Sequence, residues 1–189
     1  MGAAAYTHII TKVCSTNRGK IWFNDIPQTY RTIMGIVTGT SKYASGDGNT
    51  NFDMLINPVG STYSSYNGNL GWIKGFYVAG TSTEVTYNNY SSTSAQVGQF
   101  GSSSYFTYFD DQMNTLVFYC YDYADANTVT SIAYQGGSPY FGTGTAASSR
   151  PIVSFGSGGM KDAAAMTSLS VGPNGYFMSG SVVSLYGVN

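Results

Sequence analysis

The sequence predicts an all-β protein: a two-sheet, antiparallel, jelly-roll-like sandwich with long polar loops. Three observations predict it. Apolar and β-branched residues recur with a period of two, and almost no run shows the helical period. Gly, Asn, Asp, Ser and Pro clusters cut the chain into short runs. Charged residues make up only 9% of the 189, replaced by Ser, Thr, Asn, 24 Gly and 17 Tyr, where an average soluble chain has about 25%. Many short strands separated by turns are best buried by letting two sheets share one core. The length fits one domain, residues 1–189, with residues 1–7 as an N-terminal arm.

Residues 8–14 read as the first strand, and Asn17-Arg18-Gly19-Lys20 as a turn. Ile21-Trp22-Phe23 resumes a strand, which closes at Ile26-Pro27 because proline cannot donate to a ladder. Residues 30–38 are apolar and β-branched, the pattern of a well-buried strand. Residues 42–51 are a polar loop, residues 52–57 a short strand ended by Pro58, and residues 60–71 a long exposed loop. Strands are predicted over 72–78 and 84–87. Residues 88–104 are polar again, with Gln99-Phe100 paired.

The clearest alternation spans 115–123. Leu116, Phe118 and Cys120 fall on one face; Val117, Tyr119, Tyr121 and Tyr123 fall on the other. Residues 124–127 turn the chain into 128–134, which makes this pair a predicted hairpin. Residues 135–149 read as a flexible rim loop and 152–155 as a short strand. Residues 166–171 and 181–188 frame Gly172-Pro173-Asn174-Gly175 as a last hairpin. In the final strand Val183 and Leu185 share a face, and Gly187 leaves room for backbone or a bulky ring to approach. The predicted core includes Phe23, Ile26, Tyr30, Leu116, Phe118 and Leu185.

Composition also excludes function classes. The net charge is −1 and no basic stripe exists to neutralise phosphates, so no nucleic-acid partner is expected. No apolar stretch approaches the roughly 18 residues of a membrane span. An outer-membrane barrel is disfavoured because sustained ten-residue strands with a lipid-facing side are missing. The N-terminus lacks the apolar run of a secretory signal, and Tyr6 stands where a myristoylation motif wants Ser or Thr. Folding in the cytosol follows, and with it buried free thiols at Cys14 and Cys120 in place of a disulfide.

Catalysis is a poor fit. His8 is the only histidine and Glu84 the only glutamate, so a nucleophile lacks a paired base and a glycosidase lacks its second carboxylate. Asp110 and Asp111 are adjacent and read as turn residues. Asp122, Asp125 and Asn127 could offer oxygens to calcium, but their spacing is not that of an EF-hand, and hairpin-turn chemistry is the favoured reading. Gly156-Ser157-Gly158-Gly159-Met160-Lys161 lacks the phosphate-loop spacing and reads as a flexible loop. Asn89-Tyr90-Ser91 is a glycosylation sequon by letter only. No catalytic residue, metal or cofactor is expected. Tyr63, Tyr66, Trp72, Tyr87 and Tyr90 sit in or beside polar loops and read as core or subunit-contact residues, with stacking on host sugar rings as the alternative.

Two segments resemble a family. One is Ile26-Pro27-Gln28-Thr29-Tyr30, preceded by Phe23 and followed by the apolar run from Ile33. The other is the C-terminus, Met166-Thr167-Ser168-Leu169-Ser170-Val171, a turn, and Phe177-Met178-Ser179-Gly180-Ser181-Val182-Val183-Ser184-Leu185-Tyr186-Gly187-Val188; Asp122-Tyr123-Ala124 lies between. This order resembles small stand-alone structural proteins of tailed phages, especially those of marine bacteria and cyanobacteria. The resemblance runs from about residue 6 to 188 and departs from the family in the Tyr-rich middle and at Cys14 and Cys120. It implies a non-enzymatic virion protein made in the host cytoplasm. Such a protein is exposed on the particle as a capsid decoration or cement, or as a tail or fibre subunit. Its partners would be other virion proteins and copies of itself, a trimer by analogy. A receptor-binding tip module gripping host surface glycan is the alternative.

Overall fold

The structure, a computed structural model, describes residues 5–42, 50–56, 70–78, 85–92, 95–100, 113–138, 152–160, 163–173 and 175–189. Among them all regular structure is β, as the period-two pattern predicts. The strands are β1 (Tyr6–Val13), β2 (Ile21–Phe23), β3 (Thr32–Gly39), β4 (Ser41–Lys42), β5 (Thr50–Ile56), β6 (Leu70–Val78) and β7 (Val85–Ser92). They continue with β8 (Ala95–Phe100), β9 (Asn114–Tyr121), β10 (Ser131–Ser138), β11 (Ile152–Met160), β12 (Leu169–Pro173), β13 (Tyr176–Phe177) and β14 (Val182–Val188).

An eight-stranded sheet has the order β1-β14-β3-β9-β10-β11-β6-β7, and a four-stranded sheet the order β2-β12-β5-β8; β13 and β4 form a small third pair. The pairing is nested: β1 with β14, β2 with β12, β3 with β9 and β5 with β8, all antiparallel. The chain thus forms one long antiparallel ribbon. The ribbon is wrapped so that β14 also bonds β3 and β12 also bonds β5. Four ribbon strands per sheet, arranged this way, are the two Greek keys of a jelly roll. Strands β10, β11, β6 and β7 extend the first sheet beyond that frame.

The core lies between the sheets. On β9, Asn114, Leu116, Phe118 and Cys120 are fully buried, and the residues between them face outward. Phe118 lies opposite Gly35 of β3, where an added Cβ would fall 1.9 Å from its ring. The missing side chain is what lets the ring lie flat on β3. Cys120 Sγ reaches Met54 Sδ of β5, 3.9 Å away, and so joins the two sheets. Phe23, Ile26 and Leu185 belong to the same buried cluster, and Tyr30 packs against it, half-buried. The ring of Tyr30 covers Gly187, where a Cβ would come within 2.3 Å.

Several expectations are corrected. Tyr123 does not share the outer face of Tyr121: Asp122 takes φ 52, which breaks the alternation and turns Tyr123 inward to full burial. Its hydroxyl donates to the Pro27 carbonyl, and its own carbonyl accepts from Met166 N–H at 2.7 Å. The 166–171 and 181–188 segments are not hairpin partners. β12 and β14 lie in different sheets, and the chain crosses between them through β13, which pairs with β4. The glycine-rich 156–160 segment is strand, not loop. β11 is bonded on both edges, to β10 and β6, and this tertiary pairing overrides glycine's poor strand propensity. Residues 135–138 likewise belong to β10, and polar residues 88–92 and 95–100 belong to β7 and β8. Gln99 and Phe100 pair with Asn51 and Thr50. Residues 6 and 7 of the expected arm are the start of β1, opposite Val188 and Gly187.

Leu185 is 1% exposed and sits between Ile10 and Gly35 on neighbouring strands. Leu185→Asp should put an unpaired carboxylate in apolar surroundings at a cost of several kcal/mol, against a typical total stability of about 5–15 kcal/mol. The variant is expected to be insoluble or to melt far below the parent. A thermal melt within a few degrees of the parent would contradict this burial.

The thiols give a second prediction. Burial raises Cys14, with Arg18 partly opposing, and pushes Cys120 up to about 12 from an ordinary 9.0. A raised folded value favours the fold while both states are protonated. That contribution is complete below the unfolded value and is lost as pH rises towards the folded one. Chemical denaturation between about pH 8 and about pH 11 should show a shallower loss of stability in Cys120→Ala than in the parent. Equal slopes would show that Cys120 ionises as readily folded as unfolded.

Candidate functional site

The large sheet spends its inner face on the core, so its outer face is what the molecule presents. Register aligns that face strand by strand. One row runs Tyr6, Val188, Thr32, Tyr121 and Ser131; the next runs His8, Tyr186, Met34, Tyr119, Ala133 and Ser157. Farther along, Ile36, Val117, Gln135 and Phe155 align, and beyond them Thr38, Thr115, Gly137 and Val153. No Asp, Glu, Lys or Arg occupies an outward position on β1, β14, β3, β9, β10 or β11. The one cation on β1, Lys12, points the other way, donating Nζ–H to the Trp22 carbonyl and standing 5.2 Å from the Phe23 ring centre.

The face is uncharged and exposes several large apolar side chains. Tyr6 is 58% exposed, Phe155 47%, Val153 41% and Tyr121 40%. Tyr119 and Tyr121 stack at 5.9 Å, and His8 meets Tyr186 edge-on at 5.5 Å. Burial raises the Tyr119 phenol further above its ordinary range, and the neighbouring phenols of Tyr6 and Tyr121 add to the shift. A groove of about 500 Å³ opens where Gly137 offers no side chain, walled by Thr115, Val117, Tyr119, Gln135 and Val153.

Such a surface suits neutral, apolar contact. The outward positions of these six strands hold one imidazole, His8, and no carboxylate. His8 Nε2 is 2.8 Å from the Thr11 hydroxyl, which is 2.8 Å from the Ser184 hydroxyl. All three lie on the outer face of the large sheet. Asp125 is committed to its turn: it accepts from Asn127 N–H and from the Thr128 hydroxyl, both at 2.8 Å. These bonds hold its carboxyl below the ordinary range. Asp122 faces Arg31 at 3.1 Å. Asp125 thus makes the turn bonds expected of it. Among the described residues no group of three or more His, Cys, Asp or Glu converges.

Of the predicted aromatic contacts, Tyr63 and Tyr66 lie outside the described residues. Trp72 and Tyr87 lie on strands, as expected, and Tyr90 is a strand residue too. Trp72 of β6 pairs with Gly158 and Asn89, Tyr87 of β7 pairs with Lys74, and Tyr90 follows on β7, the edge of the large sheet. No family model matches the chain, and no curated protein or solved structure matches it.

The outer face escaped the sequence reading as a site, although its signal was present. The alternation of Val117, Tyr119 and Tyr121 opposite a buried set marks an apolar outer surface. The alignment of Val153 and Phe155 beside it depends on long-range register. For the turn, Asp125→Ala should lower the melting temperature by a few degrees, and millimolar calcium should leave the parent's unchanged. A calcium-dependent rise would make the turn a metal site.

Proposed function

We propose that the protein is a non-enzymatic structural subunit of a tailed-phage particle, carried on its exterior as a capsid decoration or cement, or as part of the tail or a fibre. The nested β1·β14, β2·β12, β3·β9, β5·β8 ribbon carries this reading. It is an architecture that viral capsid proteins share with lectins and cupins. The charge-free outer face supports the structural choice among these. Patches beyond a few hundred Å² on soluble proteins mark contact with other protein, and a subunit that assembles needs such a face more than it needs a cleft.

A glycan-binding fibre tip is the second reading. Tyr63, Tyr66, Trp72, Tyr87 and Tyr90 fall in a stretch of sequence rich in Asn, Ser and Thr, a composition suited to stacking on sugars. Antibody labelling of phage particles purified from the producing host tests the first reading. The expected result is the protein co-sedimenting with particles and gold label at a repeated position. Protein found only in the soluble fraction would contradict it. Binding of purified protein to a host-glycan array, abolished by Trp72→Ala, would move the assignment to the tip.

A further inference from the structure

We propose that the outer face of the large sheet pairs with the same face of a second copy across a two-fold axis, with Phe155 of each copy entering the groove of the other. This deepens the reading of that face as a contact surface, but does not depend on which particle carries it. Area is the first ground. Six strands at about 4.8 Å spacing, each contributing about 20 Å of length, present roughly 600 Å². Pairing two such faces buries about 1,200 Å², the lower bound of specific protein interfaces.

Charge is the second ground. In a two-fold contact each residue near the axis meets its own kind, so a single Lys or Glu there is doubled into a repulsion. The outward positions of these strands carry none, although Lys12 shows that β1 does hold a cation, turned away from this face.

Shape is the third ground. Phe155 is 47% exposed and pairs with Gln135, one wall of the groove beside Gly137 and Val153. A knob and a hole thus lie next to each other on one surface. A two-fold axis between them seats both knobs at once. Twisted sheets stack face to face at a small angle, as the two sheets of a sandwich do, so the pairing needs no flattening. Self-pairing of one face yields a dimer where the family resemblance implies a trimer.

The test is sedimentation equilibrium of the purified full chain, alone and as charge variants. The parent should run at twice the 20.1 kDa chain mass. Phe155→Glu and Phe155→Lys should each raise the dissociation constant at least tenfold while keeping the parent's circular dichroism, since the side chain lies outside the core. An equal mixture of the two variants should recover dimer, which a folding defect could not do. A parent that stays monomeric at the highest soluble concentration would overturn the proposal. So would a trimer, or a dimer that both variants leave intact. Particle labelling reads a different property, so loss of the dimer and loss of the virion assignment remain separate outcomes.

Discussion

Strand β14 is hydrogen-bonded along both edges, to β1 and to β3, and the rest of the sandwich depends on it. It is the last strand of the chain, yet it is placed between the first and the third. Remove it and β1 has no neighbour, Val183 and Leu185 leave the core, and the Tyr30 ring loses the glycine it covers. The residues beside it are fitted to this position: Ser181 bonds Thr40 through its hydroxyl, and Cys14 bonds Ser181 through its backbone. A ribbon closed between chain ends requires most contacts to form across long sequence separations. Loop-closure entropy is therefore spent before those contacts stabilise the fold, which is the signature of slow-folding β topologies.

The fold class was legible because burial enforces a period of two wherever only one face of a strand is buried. Strand β9 is the plainest case, with Leu116, Phe118 and Cys120 inside and Val117, Tyr119 and Tyr121 outside. The legible stretch ended where a single backbone angle changed. Asp122 at positive φ reversed the next side chain, and alternation has no term for that. Strand β11 was half visible, Ile152 to Phe155. Its glycine-rich continuation is held by neighbours on both sides and not by its own propensity. The last hairpin misled for another reason: Gly172 and Pro173 read as turn residues but end β12, paired with Asp53 and Phe52, and the chain goes on through β13 to the other sheet. Only the sharing of one core by two sheets specifies which strand comes next.

The candidate site divides along the same line. The aromatics singled out by composition, Trp72, Tyr87 and Tyr90, are strand residues of the β6–β7 pair at the sheet edge. The larger surface is made of residues that no motif marks. Val117, Tyr119 and Tyr121 become part of a broad uncharged face only because β11 brings Val153 and Phe155 alongside and β14 brings Tyr186. A jelly roll that needed only one buried face would gain nothing from phenols and valines on the other. Their exposure costs roughly 25 cal/mol per Å² of apolar surface left in water, a cost that the proposed second copy would offset.

Whether this face is covered in the working protein can be measured directly by hydroxyl-radical footprinting, comparing particle-bound protein with the dilute free chain. Oxidation at Tyr119, Tyr121 and Phe155 should fall sharply in the particle, while exposed Val129, in the connection between β9 and β10, keeps its rate. If the three rings oxidise as fast in the particle as in the free chain, the outer face is not the contact surface.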